Sequence, residues 1–205
     1  DYLVYAKWEN SPDKDIFLTT RSLRFSLDKR LNEFRSKQFL KITPENLTKI
    51  EWRWNGNKDI PFSSGSFQKN AEGVWRTSGS VSVKLDTALI HAWIEEWNQI
   101  RATNFVSEDV KDLSKYALKP ALGTLSLWTQ NETSPLILSL GQKREGPNAP
   151  IKTYAHTTGF SSIYEVETNF LEKFKKAIPD FRNKKVFSLD ITSLDQFSIF
   201  DNKGN

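Results

Sequence analysis

Apolar side chains recur at helical spacing in three parts of this chain. The most regular of these stripes consists of Ile90, Trp93, Ile94, Trp97 and Ile100. Residues at this spacing lie on one face of an α-helix, where they can pack against a core. Asp86 stands just before the stripe, where a carboxylate can accept hydrogen bonds from the free N–H groups of a first turn. The pattern therefore predicts an amphipathic helix that Asp86 caps.

The other two stripes share one spacing, i, i+4, i+8 and i+11. The first consists of Leu23, Leu27, Leu31 and Phe34, and the second of Phe170, Phe174, Ile178 and Phe181. Each set lies on one face of a 3.6-residue period, so each predicts an amphipathic helix. Pro179 is expected to end or kink the second helix near its last turn, because proline lacks the N–H that a helix needs.

These two stripes belong to a longer internal repeat. Residues 16–57 align with residues 163–204 without gaps at a constant offset of 147, and seven of the 42 positions are identical. The apolar positions agree in phase over most of this stretch. Upstream, Tyr5-Ala6 matches Tyr154-Ala155 at an offset of 149. The difference of two residues falls in the loop Glu9–Asp15, where a duplicated unit tolerates a change of length.

Each copy of the repeat predicts the same series of elements. A hairpin comes first, formed by Leu3–Trp8 with Ile16–Thr19 in one copy and by Ile151–Thr157 with Ser162–Val166 in the other. The amphipathic helix follows. A short strand, Gln38–Ile42 or Lys185–Leu189, and a mostly polar turn, Thr43–Asn46 or Asp190–Ser193, complete the series.

The chain between the copies predicts further antiparallel strands. Asn55-Gly56 is a two-residue turn signal, since both positions tolerate positive φ, and it is expected to join Leu47–Trp54 to Lys58–Phe62. Ser63–Ser66 has the composition of a polar loop. Additional strands are predicted over Val74–Thr77, Gly123–Thr129 and Leu136–Leu140, before a loop rich in glycine and proline over Lys143–Pro150.

The fold class that follows is α+β, with internally repeated units of antiparallel hairpins and meander sheets, each packed with an amphipathic helix. We treat residues 1–205 as one continuous repeat-containing region, with related copies at 1–57 and 151–205 and the rest of the unit at 58–150. The second copy stops before the counterpart of residues 58–143. We therefore expect this chain to be a fragment of a protein that is longer at one or both ends.

Composition narrows the possible functions. Lysine and arginine number 29 against 25 acidic residues, a net charge of +4, and the two signs are mixed along the chain. This pattern indicates solvated surfaces rather than a nucleic-acid interface. The absence of cysteine excludes disulfides, thiol nucleophiles and cysteine-ligated metals. No run approaches the roughly 18 apolar residues that a membrane span requires.

Candidate catalytic residues are few and scattered. The two histidines, His91 and His156, lie 65 residues apart. Glu95 and Glu96 are adjacent on a predicted helix, so their side chains diverge, whereas glycosidase carboxylates face each other across a cleft. Glu165 and Glu167 share one strand face, which is more typical of a solvated surface. Nucleotide-binding, serine-hydrolase and zinc-protease motifs are all absent, so we predict no catalytic, cofactor or metal site.

Three tryptophans allow two interpretations. Trp52 and Trp54 share one face of a predicted strand, and Trp75 lies on a strand that could neighbour it. We favour packing of these rings in the core against a helix. The alternative is an exposed aromatic ladder that stacks on sugar rings or on another polymer.

Several motifs, taken in order, resemble a known family. The second copy has Tyr154-Ala155, a helix ending in Phe181-Arg182-x-Lys184, and the turn Asp190-Ile191-Thr192-Ser193-Leu194. The first unit has Trp75-Arg76, the Asp86 helix, Tyr116-Ala117-Leu118-Lys119-Pro120 and Leu140-Gly141. Over nearly the whole chain this order resembles the bacterial domain-of-unknown-function family 4340. One departure is Ala117, since the family tends to have glycine after the tyrosine.

The resemblance implies one N-terminal membrane helix, absent from this sequence, followed by a repetitive α+β region that faces away from the cytoplasm. Some relatives resemble auxiliary parts of gliding-motility-type ABC export systems. We therefore expect a non-enzymatic envelope module on the periplasmic side of the inner membrane, a scaffold or accessory subunit that contacts a transporter or another envelope protein. The alternatives are a glycan- or polymer-binding module that uses Trp52, Trp54 and Trp75, and a hydrolase with an unfamiliar site.

Overall fold

The computed structural model describes residues 3–10, 12, 15–79, 82–108, 111–130, 132–184 and 198. The strands are β1 (Leu3–Ala6), β2 (Phe17–Thr20), β3 (Leu47–Trp54), β4 (Ser63–Lys69), β5 (Trp75–Thr77), β6 (Ala102–Ser107), β7 (Gly123–Thr129), β8 (Leu136–Arg144), β9 (Ile151–Thr157) and β10 (Ile163–Val166). The helices are α1 (Arg21–Leu27), α2 (Leu31–Phe34) and α3 (Thr87–Asn98), and 3₁₀ helices cover Pro44–Asn46, Leu113–Tyr116, Thr168–Lys175 and Ile178–Phe181. The fold is α+β, as the sequence predicts.

Eight strands form one antiparallel sheet in the order β5-β4-β3-β7-β8-β9-β10-β6. Strand β3 shows how the sequence builds it, because Ile50, Trp52 and Trp54 are buried while Lys49 and Arg53 alternate with them on the opposite face. One face of the sheet is therefore apolar and has to be covered. Helix α3 and the 3₁₀ helices of residues 168–181 cover it.

The predicted helix after Asp86 is confirmed. The carboxylate of Asp86 accepts a hydrogen bond from the Ala88 N–H at 2.9 Å, which satisfies one of the free donors of the first turn. The buried residues of α3 are Ile90, Trp93, Ile94 and Trp97. Ile100 is also buried, but it lies beyond the end of the helix at Asn98.

Aromatic rings form the centre of the core. Trp52 lies 5.3 Å from Trp93 and 4.9 Å from Phe67, measured between ring centroids. Trp54 stacks on Phe174 at 5.2 Å. Tilted and offset ring pairs of this kind contribute about 0.5–1.5 kcal/mol each beyond the area that they bury. The sheet, the helix and the C-terminal 3₁₀ segment are therefore joined by one aromatic cluster.

The two remaining helical stripes do not form the single helices that their spacing predicts. In the first copy the chain leaves helical geometry at Asp28, where φ is −80° and ψ is 62°, so the stripe is divided between α1 and α2. In the second copy the backbone is 3₁₀ and breaks at Lys176 and Ala177. Pro179 lies in the opening turn of the following segment, where its missing N–H costs nothing.

The predicted strand Gln38–Ile42 is wrong. The backbone there is irregular, and its polar groups find side-chain partners instead of a neighbouring strand. The Asn98 amide accepts from the Ile42 N–H at 2.8 Å and donates to the Ile42 carbonyl at 2.7 Å. Conversely, the sequence pattern does not predict β6, because its sequence Ala-Thr-Asn-Phe-Val-Ser lacks a clear apolar alternation. The predicted strand Lys185–Leu189 and the turn Asp190–Ser193 lie outside the described residues.

The predicted two-residue turn at Asn55-Gly56 is also wrong, although Gly56 does adopt a φ of +84°. The return strand is β4, which begins at Ser63, so residues 63–66 are a strand rather than a loop. Asn57 organises the longer connection by accepting hydrogen bonds from the N–H groups of Asp59 and Ile60, at 3.0 and 2.7 Å. The Ile60 side chain is buried, which draws the connection onto the core.

Both hairpins predicted for the two aligned segments are confirmed, and their registers agree at aligned positions. Ala6 faces Phe17 in β1 and β2, and Ala155 faces Tyr164 in β9 and β10. Their surroundings differ. Strands β9 and β10 lie inside the eight-stranded sheet, whereas β1 and β2 pair only with each other within the described residues.

Two phenylalanines at aligned positions provide a matched test of this packing. Phe181 is 1% exposed and packs against Trp52, Phe67 and Trp93, whereas Phe34 is 72% exposed. We expect Phe181→Ala to lower the free energy of unfolding by about 3–5 kcal/mol, since it opens a cavity in the core. Phe34→Ala should change it by less than about 0.5 kcal/mol. Urea denaturation of both variants measures this, and equal losses would contradict the structure.

Ala117 allows a second stability test. Its φ is 55°, a left-handed conformation in which the Cβ atom of an L-residue is strained. Ala117→Gly should therefore raise the free energy of unfolding by about 0.5–1 kcal/mol. The control is Gly141→Ala, whose Cβ would lie 2.3 Å from the Ala117 carbonyl oxygen and should destabilise the protein. Thermal or urea melts compare the two, and a loss of stability in Ala117→Gly would disprove the strain.

Candidate interaction surface

The three tryptophans that sequence analysis selected are all core residues. Trp52 is 2% exposed, and Trp54 and Trp75 are 0% exposed. The indole N–H of Trp52 donates to the Ser63 hydroxyl at 3.3 Å, and that of Trp54 donates to the Ile60 carbonyl at 3.2 Å. The preferred interpretation, core packing, is confirmed. The alternative of an exposed ladder is wrong, because these rings present no face to a ligand.

The histidines lie in separate surroundings. The Nδ1 atom of His91 is 3.7 Å from a carboxylate oxygen of Glu45, and Nε2 of His156 is 3.1 Å from the Phe160 carbonyl oxygen. Within the described residues, no three histidine, aspartate or glutamate side chains come together as a metal site would require. These contacts tie surface segments together.

The acidic residues also have separate partners. Glu95 accepts from the Asn98 amide, and Glu96 pairs with Lys173 at 3.5 Å. Glu165 pairs with Lys152 at 3.6 Å. Glu167 accepts from the Asn169 amide at 3.1 Å. Each of these carboxylates therefore has a polar partner of its own within the chain.

An open cleft of about 710 Å³ lies between the C-terminal end of α3, the start of β6 and the 3₁₀ helix of residues 168–175. Its lining mixes both signs of charge, with Lys37, Arg101 and Lys173 beside Glu96 and Glu167. Arg101 donates to the carbonyls of Asn98 and Ile100 at 2.7 and 3.1 Å, so it is occupied in ending the helix. Arg101, Lys173, Glu96 and Glu167 all form contacts within the chain, so the cleft is a polar surface whose charges are mostly engaged.

A buried tyrosine supports the opposite face of the sheet. The Tyr154 hydroxyl donates to Glu145 at 2.7 Å, and Tyr116 lies edge-on to its ring at 5.4 Å. Burial raises the pKa of Tyr154, and the hydrogen bond to the Glu145 carboxylate raises it further. The Tyr154 and Lys152 hydrogen bonds lower the pKa of Glu145. The group joins the loop after β8 to β9 and is structural.

Arg35 attaches the N-terminal part of the chain to the edge of the sheet. Its guanidinium lies 3.7 Å from the centroid of the Phe105 ring. It also forms a bidentate salt bridge, in which both Nη atoms donate to the Glu108 carboxylate. Glu108 also accepts from the Ser162 hydroxyl at 2.8 Å. The hydrogen bonds from Arg35 and then Ser162 hold the pKa of Glu108 below its usual range. Next to this contact, the Lys37 carbonyl accepts from the Ala102 N–H at 2.8 Å.

The most unusual surface lies before Arg35. We call residues 3–34 the N-terminal segment, and its large apolar side chains point to solvent, with exposed fractions from 38% at Leu23 to 79% at Leu31. The set is Leu3, Tyr5, Trp8, Ile16, Phe17, Leu18, Leu23, Phe25, Leu27, Leu31 and Phe34. Every residue of α1 and α2 is exposed. The prediction that this stripe packs on the sheet is therefore wrong for the first copy.

The second stripe does pack as predicted. Phe170, Phe174 and Phe181 are buried in the main core, and Ile178 packs against it. Spacing alone could not separate the two stripes, because both have apolar residues at the same positions. What distinguishes the two stripes is the surface beside them. The second stripe lies on the apolar face of the sheet, whereas the first is exposed.

Comparison with known proteins identifies one relationship. The family described as a domain of unknown function, DUF4340, matches residues 75–205. No curated protein and no solved structure matches the chain. Among the described residues, no helix has the length and apolar character needed to cross a membrane.

The raised pKa of Tyr154 predicts an alkaline effect on stability. The folded state keeps this phenol protonated to higher pH than the unfolded state does, so its contribution is complete at neutral pH. That contribution falls as pH rises above about 10, where the unfolded phenol ionises. We expect Tyr154→Phe to flatten the decline in unfolding free energy above that pH. Denaturant titrations across this range measure the slope.

The control for this experiment is Tyr5→Phe, the same substitution at the aligned position, where the ring is exposed. It should leave the alkaline decline as in the unmodified chain. If Tyr154→Phe also left the decline unchanged, the assignment of the effect to the buried hydroxyl would be disproved.

Proposed function

The chain belongs to the DUF4340 family of domains of unknown function, and on that premise we propose that it is a non-enzymatic module that binds another protein. The observation that carries this proposal is the apolar N-terminal segment, with eleven large apolar side chains exposed. Folded monomers seldom expose contiguous apolar patches larger than a few hundred Å². A surface of this kind is typical of a site that another protein covers.

The lack of assembled chemistry supports the same proposal. Across the described part of the chain, the candidate acids and histidines each have their own internal partner, and most of the charges that line the cleft beside α3 already serve other contacts. An enzyme needs an acid, base or nucleophile directed at a shared space. The most distinctive surface among the described residues is instead the exposed apolar N-terminal segment.

Internal repetition is the second part of the proposal. We propose that residues 3–36 and 152–183 are copies of one structural segment. The support is the shared sequence pattern, the shared hairpin register, and the division of each following stripe into two short helical pieces. Repeat-built proteins commonly use the extended surfaces of such units to bind partners.

The cellular setting of the proposal comes from the family resemblance. A membrane-anchored module on the periplasmic side of the inner membrane would act as a scaffold or accessory subunit and would contact a transporter or another envelope protein. The mixed surface charge agrees with a protein partner rather than a nucleic acid. The glycan- or polymer-binding alternative loses its basis, because Trp52, Trp54 and Trp75 are buried.

Photo-crosslinking in the native cells tests the proposal. A benzoylphenylalanine at position 27 or 31 lies on the exposed apolar surface, and we expect it to crosslink to an envelope protein. The matched control places the same group at Arg53, which is exposed on the polar face of β3. We expect no crosslink from that position. Crosslinks confined to cytosolic proteins, or equal crosslinks from both faces, would contradict the proposal.

A further inference from the structure

Residues 151–184 show how a segment with the pattern of residues 3–34 can bury its apolar side chains. We call residues 151–184 the closing segment, and we call the part that it covers, β3 to β8 with α3, the unit core. The closing segment completes the unit core in two ways. It adds two strands to the sheet, and it lays an aromatic stripe over the sheet's apolar face.

The added strands fill a gap in the sheet. Strand β9 pairs with β8, placing Ala155 opposite Leu140, and β10 pairs with β6, placing Tyr164 opposite Phe105. In the N-terminal segment, β1 and β2 have the same mutual register and pair only with each other among the described residues. Their outer edges have the backbone groups that an added strand needs on each side.

The stripe of the closing segment enters an aromatic groove. Phe174 lies 5.2 Å from Trp54 and 4.9 Å from Trp97, and Phe181 lies 5.1 Å from Trp93. The residues at the aligned positions are Leu27 for Phe174 and Phe34 for Phe181. Both aligned side chains are more than 70% exposed.

Backbone contacts fix the closing segment in that groove. The Trp93 indole donates to the Lys173 carbonyl at 3.1 Å, and the Ser63 hydroxyl donates to the Lys176 carbonyl at 3.0 Å. The Asp86 N–H donates to the Phe181 carbonyl at 2.8 Å. The groove of this chain is therefore already filled, so the N-terminal segment cannot enter it without displacing the closing segment.

We propose that the N-terminal segment closes a second unit core of the same kind, one that has no closing segment of its own. Strands β1 and β2 would be inserted between strands equivalent to β8 and β6. Leu23, Leu27, Leu31 and Phe34 would enter a groove equivalent to that of Trp54, Trp93 and Trp97. The proposed interface would therefore have the same strand pairing and the same apolar packing that the closing segment already forms with the unit core. This inference rests on the proposed function and identifies the partner.

A graft within the full chain tests this partner. Residues 3–34 replace the aligned residues 152–181, so that the N-terminal segment is offered to the chain's own unit core. We expect a cooperative urea transition and tryptophan emission like that of the unmodified chain, because Trp54 and Trp97 are covered again. The reference for failure is the chain in which a glycine-serine linker of equal length replaces residues 152–181. A graft that behaves like this linker variant overturns the proposal.

Point variants separate docking from nonspecific collapse. Leu27→Asp within the graft should abolish the cooperative transition, because it places a carboxylate in the aromatic groove. The same Leu27→Asp at its natural position in the unmodified chain should leave the transition unchanged, since the side chain is exposed there. Equal behaviour of the graft with and without Leu27→Asp overturns the proposal.

Substituting the stripe of the closing segment tests the same proposal without graft junctions, which could themselves prevent folding. The triple variant Phe170→Leu, Phe174→Leu and Ile178→Leu gives the closing segment the aligned side chains of the N-terminal segment. We expect it to retain a cooperative transition at a lower urea midpoint. Loss of the transition would show that the groove rejects this stripe and would overturn the proposal.

Sedimentation of the full chain distinguishes this partner from a second copy of the chain. We expect a monomer at micromolar concentration, because every copy has its groove filled. A dimer that Leu27→Asp dissociates would show that two N-terminal segments cover each other, which overturns the partner assigned here. A failed graft combined with position-27 crosslinks to an envelope protein would reject only this partner class. Absence of those crosslinks would reject the proposed function itself.

Discussion

The packing of the closing segment against tryptophans of β3 and α3 is the contact on which the rest of the fold depends. Eight strands at about 4.8 Å spacing make a sheet roughly 34 Å wide. Helix α3 has 12 residues, and a helix is only about 10–12 Å across with its side chains. A single helix cannot cover such a face. Phe174 and Phe181 of the closing segment extend the cover, and their rings contact Trp97 and Trp93 of α3.

This contact also determines the backbone of the segment that makes it. The closing segment is 3₁₀ where it lies on the sheet, whereas the aligned N-terminal segment forms a short α-helix where it is exposed. Short helices gain little from propensity alone, so packing decides their geometry. The Ser63 and Trp93 side chains donate hydrogen bonds to carbonyl groups of the closing segment. In a regular helix, these carbonyls would accept from N–H groups of the same helix.

The function proposed here follows from a difference between two segments with the same pattern of apolar residues. The closing segment buries most of its apolar side chains within the chain, whereas the N-terminal segment leaves them exposed. Eleven of the large exposed apolar side chains lie in the N-terminal segment, and such a concentration is suited to association with another protein. The contact between Arg35 and Glu108 attaches the C-terminal end of the N-terminal segment to the edge of the sheet.

The sequence by itself determined the local elements. Helix α3 with its Asp86 cap, both repeat hairpins and the hairpin of β7 and β8 follow from spacing, capping and alternation, which act over a few residues. The sequence also favours core packing of Trp52, Trp54 and Trp75 against a helix, and these rings are buried.

Only the tertiary structure decided where those elements find partners. Gln38–Ile42 has the composition of a strand, but the Asn98 side chain supplies the hydrogen bonds of the Ile42 backbone. Asn55-Gly56 has the signature of a tight turn, but burial of Ile60 extends the connection to Ser63. Leu27 and Phe174 are equivalent in pattern, and one is exposed while the other is buried. Burial depends on a complementary surface being within reach, and periodicity along the chain contains no information about that surface.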